Sequence, residues 1–286
     1  VGSTSLSIVE PVPGAAASRA LPTTVWFPAT SGSPGSVPDR SGGPYPLLVF
    51  SQGFDLSVQA YAALLEDLAS AGFVVAAPTY PHTDPSDPSQ LDEADIVNHP
   101  GDLRFVITTL LNVAGSTGSV LSGVIDENEV GILGHSDGGD VSLAVADNSC
   151  CRDPSVRAVA ILSGAELSSF GGQYFPPGSL PPILVVQGSA DTVNVPACSA
   201  QIYNAAEPPK YYLDLLGAEH EPPYTDPGVD LETVAKVTAD FFDATLRGQS
   251  SALALMMAAG NVPGAAQITD SPSVPVPAGG CPGAPG

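Results

Sequence analysis

The sequence predicts an α/β fold, with a mainly parallel central sheet flanked by helices in a single domain. Three observations carry that expectation. Between residues 47 and 246, short apolar runs alternate with helical patterns of roughly a dozen residues. Runs such as Leu47-Leu48-Val49-Phe50 and Ile183-Leu184-Val185-Val186 are continuously apolar, as strands covered on both faces must be. And Gly134-His135-Ser136-Asp137-Gly138 stands between one such run and a helical pattern, the context of a sharp strand-to-helix turn.

The elements follow in order. Two β-rich pieces, 5–10 and 23–27, precede a Ser/Gly/Pro loop over 29–46 and a strand over 47–51. A helix over 58–71, apolar at Ala60, Leu64, Leu65 and Leu68, ends with Gly72 in the C′ position. Phe73-Val74-Val75-Ala76-Ala77 is a buried strand stopped by Pro78. The connection 79–99 is rich in Pro, Asp and Ser, and its acids Asp84, Asp87, Asp92, Glu93 and Asp95 read as a solvated face. A helix over 102–111 places Leu103, Val106, Ile107 and Leu110 on one side. After the Ser136 turn come strands at 156–162, 183–187 and 211–216, with helices at 197–205 and 230–246. Such crossovers between parallel strands are right-handed. The longest connections, 79–99 and 163–181, are too short for a helical cap, so no large lid is expected. The catalytic domain is read as 1–261, ending in a short surface helix over 252–259. A Pro/Gly/Ala tail with little to pack occupies 262–286.

Composition narrows the partners. At 286 residues and 43% hydrophobic, the chain can bury a large core. Thirty acidic residues against eight basic ones give a formal charge of −22. That field repels polyanions, which excludes DNA, RNA and acidic lipid and leaves neutral, apolar substrates. No apolar run reaches the ~18 residues of a membrane span. The low charged fraction of 13% and a start at Val1 with no basic leader read as a mature, secreted chain, taken as a monomer. Four cysteines fit two bridges and an oxidising compartment. Of the three pairings, Cys198–Cys281 pinning the tail and a strained vicinal Cys150–Cys151 are favoured, because Cys150 and Cys151 follow the helix that runs away from the elbow. Four free thiols are the alternative. No Cys or His spacing suits zinc, so neither metal nor cofactor is expected.

The Gly134–Gly138 turn makes Ser136 a candidate nucleophile, since the turn lifts its hydroxyl above the sheet edge. A serine hydroxyl needs a base, and the base needs a carboxylate to fix its tautomer. Both arrive after later strands. Asp191 follows Ile183-Leu184-Val185-Val186-Gln187-Gly188, and His220 follows Tyr211-Tyr212-Leu213-Asp214-Leu215. Glu166 and Glu219 are competing acids, but Glu219 adjoins His220 and cannot easily reach its Nδ1. Of the other histidines, His82 could line the cleft, His99 reads as a capping or surface residue, and His135 points back toward the sheet and borders the substrate site. The oxyanion of a tetrahedral intermediate needs two waiting N–H donors. Asp137, next to the nucleophile, supplies one, and Phe54 in the Ser51-Gln52-Gly53-Phe54-Asp55 loop supplies the other. Phe54, His135, Tyr80 and Ala165 are the candidate substrate contacts.

These motifs resemble the α/β-hydrolase superfamily from 47 to 246. Gly134-His135-Ser136-Asp137-Gly138-Gly139 resembles the elbow of secreted bacterial polyester hydrolases (cutinase-like enzymes), and also that of predicted dienelactone hydrolases and of platelet-activating-factor acetylhydrolase and chlorophyllase relatives. Ser51-Gln52-Gly53-Phe54 is similar to the polyester hydrolases' oxyanion loop, and Asn98-His99-Pro100-Gly101-Asp102-Leu103-Arg104-Phe105-Val106 to a helix start of the dienelactone hydrolases. The resemblance implies cofactor-free hydrolysis of a small or polymeric ester through an acyl-enzyme. Two departures stand out. Ser163-Gly164-Ala165-Glu166-Leu167 lacks the polyester hydrolases' tryptophan, the only Trp being Trp26, so Tyr174, Phe175 or Tyr80 would have to replace it. True dienelactone hydrolases use cysteine where this chain has Ser136. Lipase, acetylhydrolase, acyltransferase and peptidase chemistries share the same triad, and a non-catalytic binding protein is the rival of another class.

Overall fold

The structure, a computed structural model, describes residues 1–11, 18–31 and 36–282. Among the described residues nine strands form one sheet: β1 (Gly2–Glu10), β2 (Arg19–Phe27), β3 (Tyr45–Ser51), β4 (Val74–Pro78), β5 (Ile125–His135), β6 (Val156–Leu162), β7 (Ile183–Gly188), β8 (Lys210–Leu215) and β9 (Ala266–Thr269). Their spatial order is β1-β2-β4-β3-β5-β6-β7-β8-β9. The six strands from β4 to β8 are mutually parallel, while β1, β2 and β9 pair antiparallel at the two edges.

The continuous apolar runs are explained by burial on both faces. In β3, Leu47 and Val49 join one core with Leu103, Val106, Ile107 and Leu110, whereas Leu48 and Phe50 join a second with Leu64, Leu65, Leu68 and Phe241. Helices α1 (Ala62–Ser70), α6 (Val229–Thr245) and α7 (Ser250–Ala259) cover the second face. Helices α2 (His99–Gly115), α3 (Asp137–Asp147) and α4 (Pro196–Ala205) cover the first, and the short α5 (Pro222–Thr225) follows β8. Gly72 takes the left-handed conformation, φ 103°, just beyond α1, as a C′ residue does. Neither connection 79–98 nor 163–182 contains an α-helix, only 3-10 turns.

Several local expectations are revised. The 58–71 helix opens with a separate 3-10 turn at Val58–Tyr61, and α2 begins earlier and ends later than 102–111. The tail expected from 262 contributes β9, which buries Ile268 and pairs with β8 before the chain becomes irregular. Asp95 is not simply solvated: with Asp102 it receives Arg19 of β2, whose Nη2 lies 2.6 Å from a carboxylate oxygen of each. His99 is buried rather than exposed, its ring stacked on Tyr80 at 4.5 Å. Both favoured bridges, Cys150–Cys151 and Cys198–Cys281, are present. Among the described residues no helix is long and apolar enough to cross a membrane.

Candidate active site

The chain passes from β3 to β4 on one side of the sheet and then to β5 on the other. The carboxyl ends of β3 and β5 therefore flank the point where the winding reverses, the usual ligand crevice of an open α/β sheet. Ser136 lies there, between the end of β5 and the start of α3. Its backbone is in the left-handed half of conformational space, φ 54° and ψ −125°, a strain held by close packing on both sides. A Cβ on Gly134 would lie 2.0 Å from the Gly138 carbonyl oxygen, and one on Gly138 would lie 2.0 Å from that of Ser51. The turn can be this sharp only because both positions are bare.

The next two parallel strands bring the partners. Asp191 follows β7 and His220 follows β8, and the two loops press together where Gly188 meets the carbonyls of Ala218 and Glu219. His220 Nε2 is 2.9 Å from Ser136 Oγ, and its Nδ1 is 2.8 Å from Asp191 Oδ2. Asp191 is oriented in turn: Val193 N–H donates to Oδ1 at 2.8 Å, and Gln187 Nε2 donates to Oδ2 at 3.1 Å. Gln187 is itself fixed by the Ser199 hydroxyl, which donates to its Oε1 at 2.6 Å. Burial pushes the Asp191 carboxyl upward, but hydrogen bonds and charge from His220, with the Val193 N–H, outweigh it. Its pKa lies below the ordinary value, so the carboxylate is ionised. Glu219 is exposed, and Glu166 has a pKa raised by burial alone; neither bonds His220.

The Gly53–Phe54 loop lies against the nucleophile, a Gly53 Cβ falling 3.3 Å from Ser136 Cβ. Gly53 N–H is taken by the Tyr61 hydroxyl at 3.2 Å, whereas Phe54, half-buried, keeps its N–H unused. Asp137 opens α3, so its N–H has no acceptor within the helix and lies at the positive end of its dipole. The Asp137 carboxyl is pushed up to about 7 by burial, with Glu93 reinforcing the shift and His220 opposing it.

Other candidate contacts lie elsewhere than expected. His135 has no exposure to solvent: its ring is enclosed by Tyr61, Tyr224 and His220, so it forms the floor under the site rather than a substrate surface. Tyr80 is also buried, its hydroxyl 2.8 Å from Ser51 Oγ. Ala165 is buried too, its N–H donating to the Asp140 carboxyl. His82 is exposed and bonds the Gln90 carbonyl within its own loop. Tyr174 bonds the Leu167 backbone across the 163–182 connection. Gln187, Tyr61 and Tyr224 were not singled out from the sequence. The one signal for Gln187 is a polar residue closing an otherwise apolar strand.

Among the described residues, no group of three or more His, Cys, Asp or Glu side chains could hold a metal ion. The arrangement offers a hydroxyl, an imidazole and an ionised carboxylate in hydrogen-bonded series, beside two free backbone N–H groups. No curated protein matches the chain. The sequence model of the Chlorophyllase family matches residues 36–198, more than half of the chain, a span that includes the Gly53–Phe54 loop, Ser136 and Asp191. The chain therefore belongs to the Chlorophyllase family, a group of esterases within the α/β-hydrolase superfamily.

Proposed function

We propose that this protein is a secreted, monomeric serine carboxylesterase that works through an acyl-enzyme on Ser136. The observation that carries the proposal is the unbroken series from Ser136 Oγ through both ring nitrogens of His220 to Asp191 Oδ2, at 2.9 and 2.8 Å. With Nδ1–H donating to the carboxylate, Nε2 is the free base facing the hydroxyl. As Ser136 Oγ attacks the ester carbonyl carbon, its proton passes to Nε2. The carbonyl oxygen becomes an oxyanion and accepts from the N–H groups of Phe54 and Asp137. The imidazolium, stabilised by Asp191, gives its proton to the departing alkoxide. Water then enters, loses a proton to Nε2 and attacks the acyl carbon, and Ser136 leaves with that proton restored.

Half-buried Phe54 beside the nucleophile, and connections 79–98 and 163–182 that hold only 3-10 turns, favour a bulky or extended ester, including the cutinase-like reading. The two bridges suit an oxidising, extracellular setting. The test is Ser136→Ala with p-nitrophenyl esters of rising chain length, a chlorophyll, an amide analogue and a polyester film. Hydrolysis of every ester that the parent cleaves is expected to fall by at least about 10³-fold with the fold intact. Retention of most of the activity would refute the assignment.

A further inference from the structure

Beneath Ser136 runs a second series of hydrogen bonds that the acyl-transfer chemistry does not use. Gly53 N–H, Tyr61, His135 and the His220 carbonyl follow one another at 3.2, 2.8 and 2.9 Å. Every donor in it has a forced direction. His135 is fully buried, and burial, with His220 nearby, lowers its pKa to about 3, so the ring is neutral and carries one proton. The His220 carbonyl can only accept, which places that proton on His135 Nε2 and leaves Nδ1 as an acceptor. Tyr61 must then donate its O–H to Nδ1, and burial keeps that phenol protonated. The Tyr61 oxygen, in turn, accepts from Gly53 N–H.

The two ends of this series are the two loops whose spacing acyl transfer depends on. Gly53 precedes Phe54, a proposed oxyanion donor, and the His220 carbonyl belongs to the proposed base. A Cβ on Gly53 would lie 3.1 Å from the Tyr61 hydroxyl and 3.2 Å from His135 Nδ1, so loop and relay are in direct contact. We infer that Tyr61 and His135 are positioning residues that hold the oxyanion loop and the base loop at a fixed separation around Ser136. Neither touches the ester. Their effect is geometric, and displacements well under 1 Å at such a site change rates strongly. The inference rests on the esterase reading above.

The variants are Tyr61→Phe, His135→Leu and His135→Gln. Tyr61→Phe removes the donor to His135 and the acceptor for Gly53. His135→Leu removes the central link. His135→Gln can restore both bonds, its amide N–H reaching the His220 carbonyl and its amide oxygen accepting from Tyr61. Each is compared with the parent in steady-state ester hydrolysis and in the rate at which a fluorophosphonate labels Ser136, with far-UV circular dichroism as the control for folding. For Tyr61→Phe and His135→Leu, kcat is expected to fall about tenfold or more with KM within about twofold. Labelling should slow in parallel, and His135→Gln should recover several-fold of the loss. Should Tyr61→Phe fail to fold, the His135 pair alone decides. Parental kcat in His135→Leu, or an equal fall in His135→Gln and His135→Leu, overturns the relay. If the parent is not labelled at Ser136 and Ser136→Ala still hydrolyses ester, the esterase reading itself fails and the relay falls with it.

Discussion

Replacing Asp147 with Asn should change how the stability of this protein depends on pH. Asp147 is the last residue of α3, at the opposite end from Ser136, and is almost completely buried. Its Oδ1 has no hydrogen-bond partner, and a negative charge there also faces the negative end of the helix dipole. Burial raises the carboxyl from 3.8 to about 7, with Arg152 opposing the shift. As pH rises from about 4 to 7, the unfolded chain gives up this proton while the folded chain keeps it, so stability falls across that window and levels off above it. The shift corresponds to roughly 4 kcal/mol at about 1.36 kcal/mol per unit. Asparagine has the same shape and cannot ionise. Urea unfolding of parent and variant at pH 4 and pH 8, followed by Trp26 fluorescence and circular dichroism, isolates the effect. Between those pH values Asp147→Asn should gain about 2–4 kcal/mol relative to the parent. Any fixed cost of the new amide N–H groups cancels in that difference. Parallel pH profiles, agreeing within about 0.5 kcal/mol, would show that the carboxylate is solvated in the folded state and that the reasoning is wrong.

Three other outcomes follow from the geometry. Asp191→Asn should lower kcat on a soluble ester by about 10³–10⁴-fold with KM nearly unchanged, because the amide can donate to Nδ1 and favours the wrong His220 tautomer; a loss under tenfold would remove Asp191 from that role. Gly138→Ala forces a Cβ to within 2.0 Å of the Ser51 carbonyl, so kcat/KM should drop by at least about 100-fold in folded protein, and parental kinetics would mean that the elbow relaxes without consequence. Replacing Cys198 and Cys281 together with Ser opens a loop closed over 83 positions, which chain entropy values at about 4–5 kcal/mol; a loss below about 1 kcal/mol in urea would show that the bridge barely restrains the unfolded chain.

That Ser136, Asp191 and His220 meet was legible because each is a polar residue just past a buried parallel strand, and such strand ends converge on one edge of the sheet. The apolar runs revealed the parallel strands for the same reason: they are covered on both faces. Side-chain partners were less visible. Tyr80 and His135 occupy positions next to the crevice in the chain, but their rings turn inward, and only the tertiary packing of Ser51, Tyr61 and Tyr224 decides that. Gln187 is marked only as a polar residue closing an apolar run, and that does not name Asp191 as its partner, since the bond depends on how α4 presents Ser199. β9 was missed because Ala266-Gln267-Ile268-Thr269 is only four residues long inside a Pro/Gly/Ala segment, and β8 supplies the template. Arg19, Asp95 and Asp102 look like ordinary surface charges until β2 is brought against α2 and the 3-10 turn Glu93–Asn98 that precedes it.

The Cys198–Cys281 bridge also makes a covalent ring of the intervening chain. His220, β8, α6 and β9 lie on that ring, while Ser136 and Asp191 lie on the thread that leads into it. One cut in the exposed stretch 226–229, or at any other single peptide bond on the ring, opens it without producing two molecules. The imidazole thus remains tethered to the chain that carries its hydroxyl and carboxylate partners. A nicked protein can lose a peptide bond from its backbone and still present all three groups from one covalent particle, with the halves parting only on reduction.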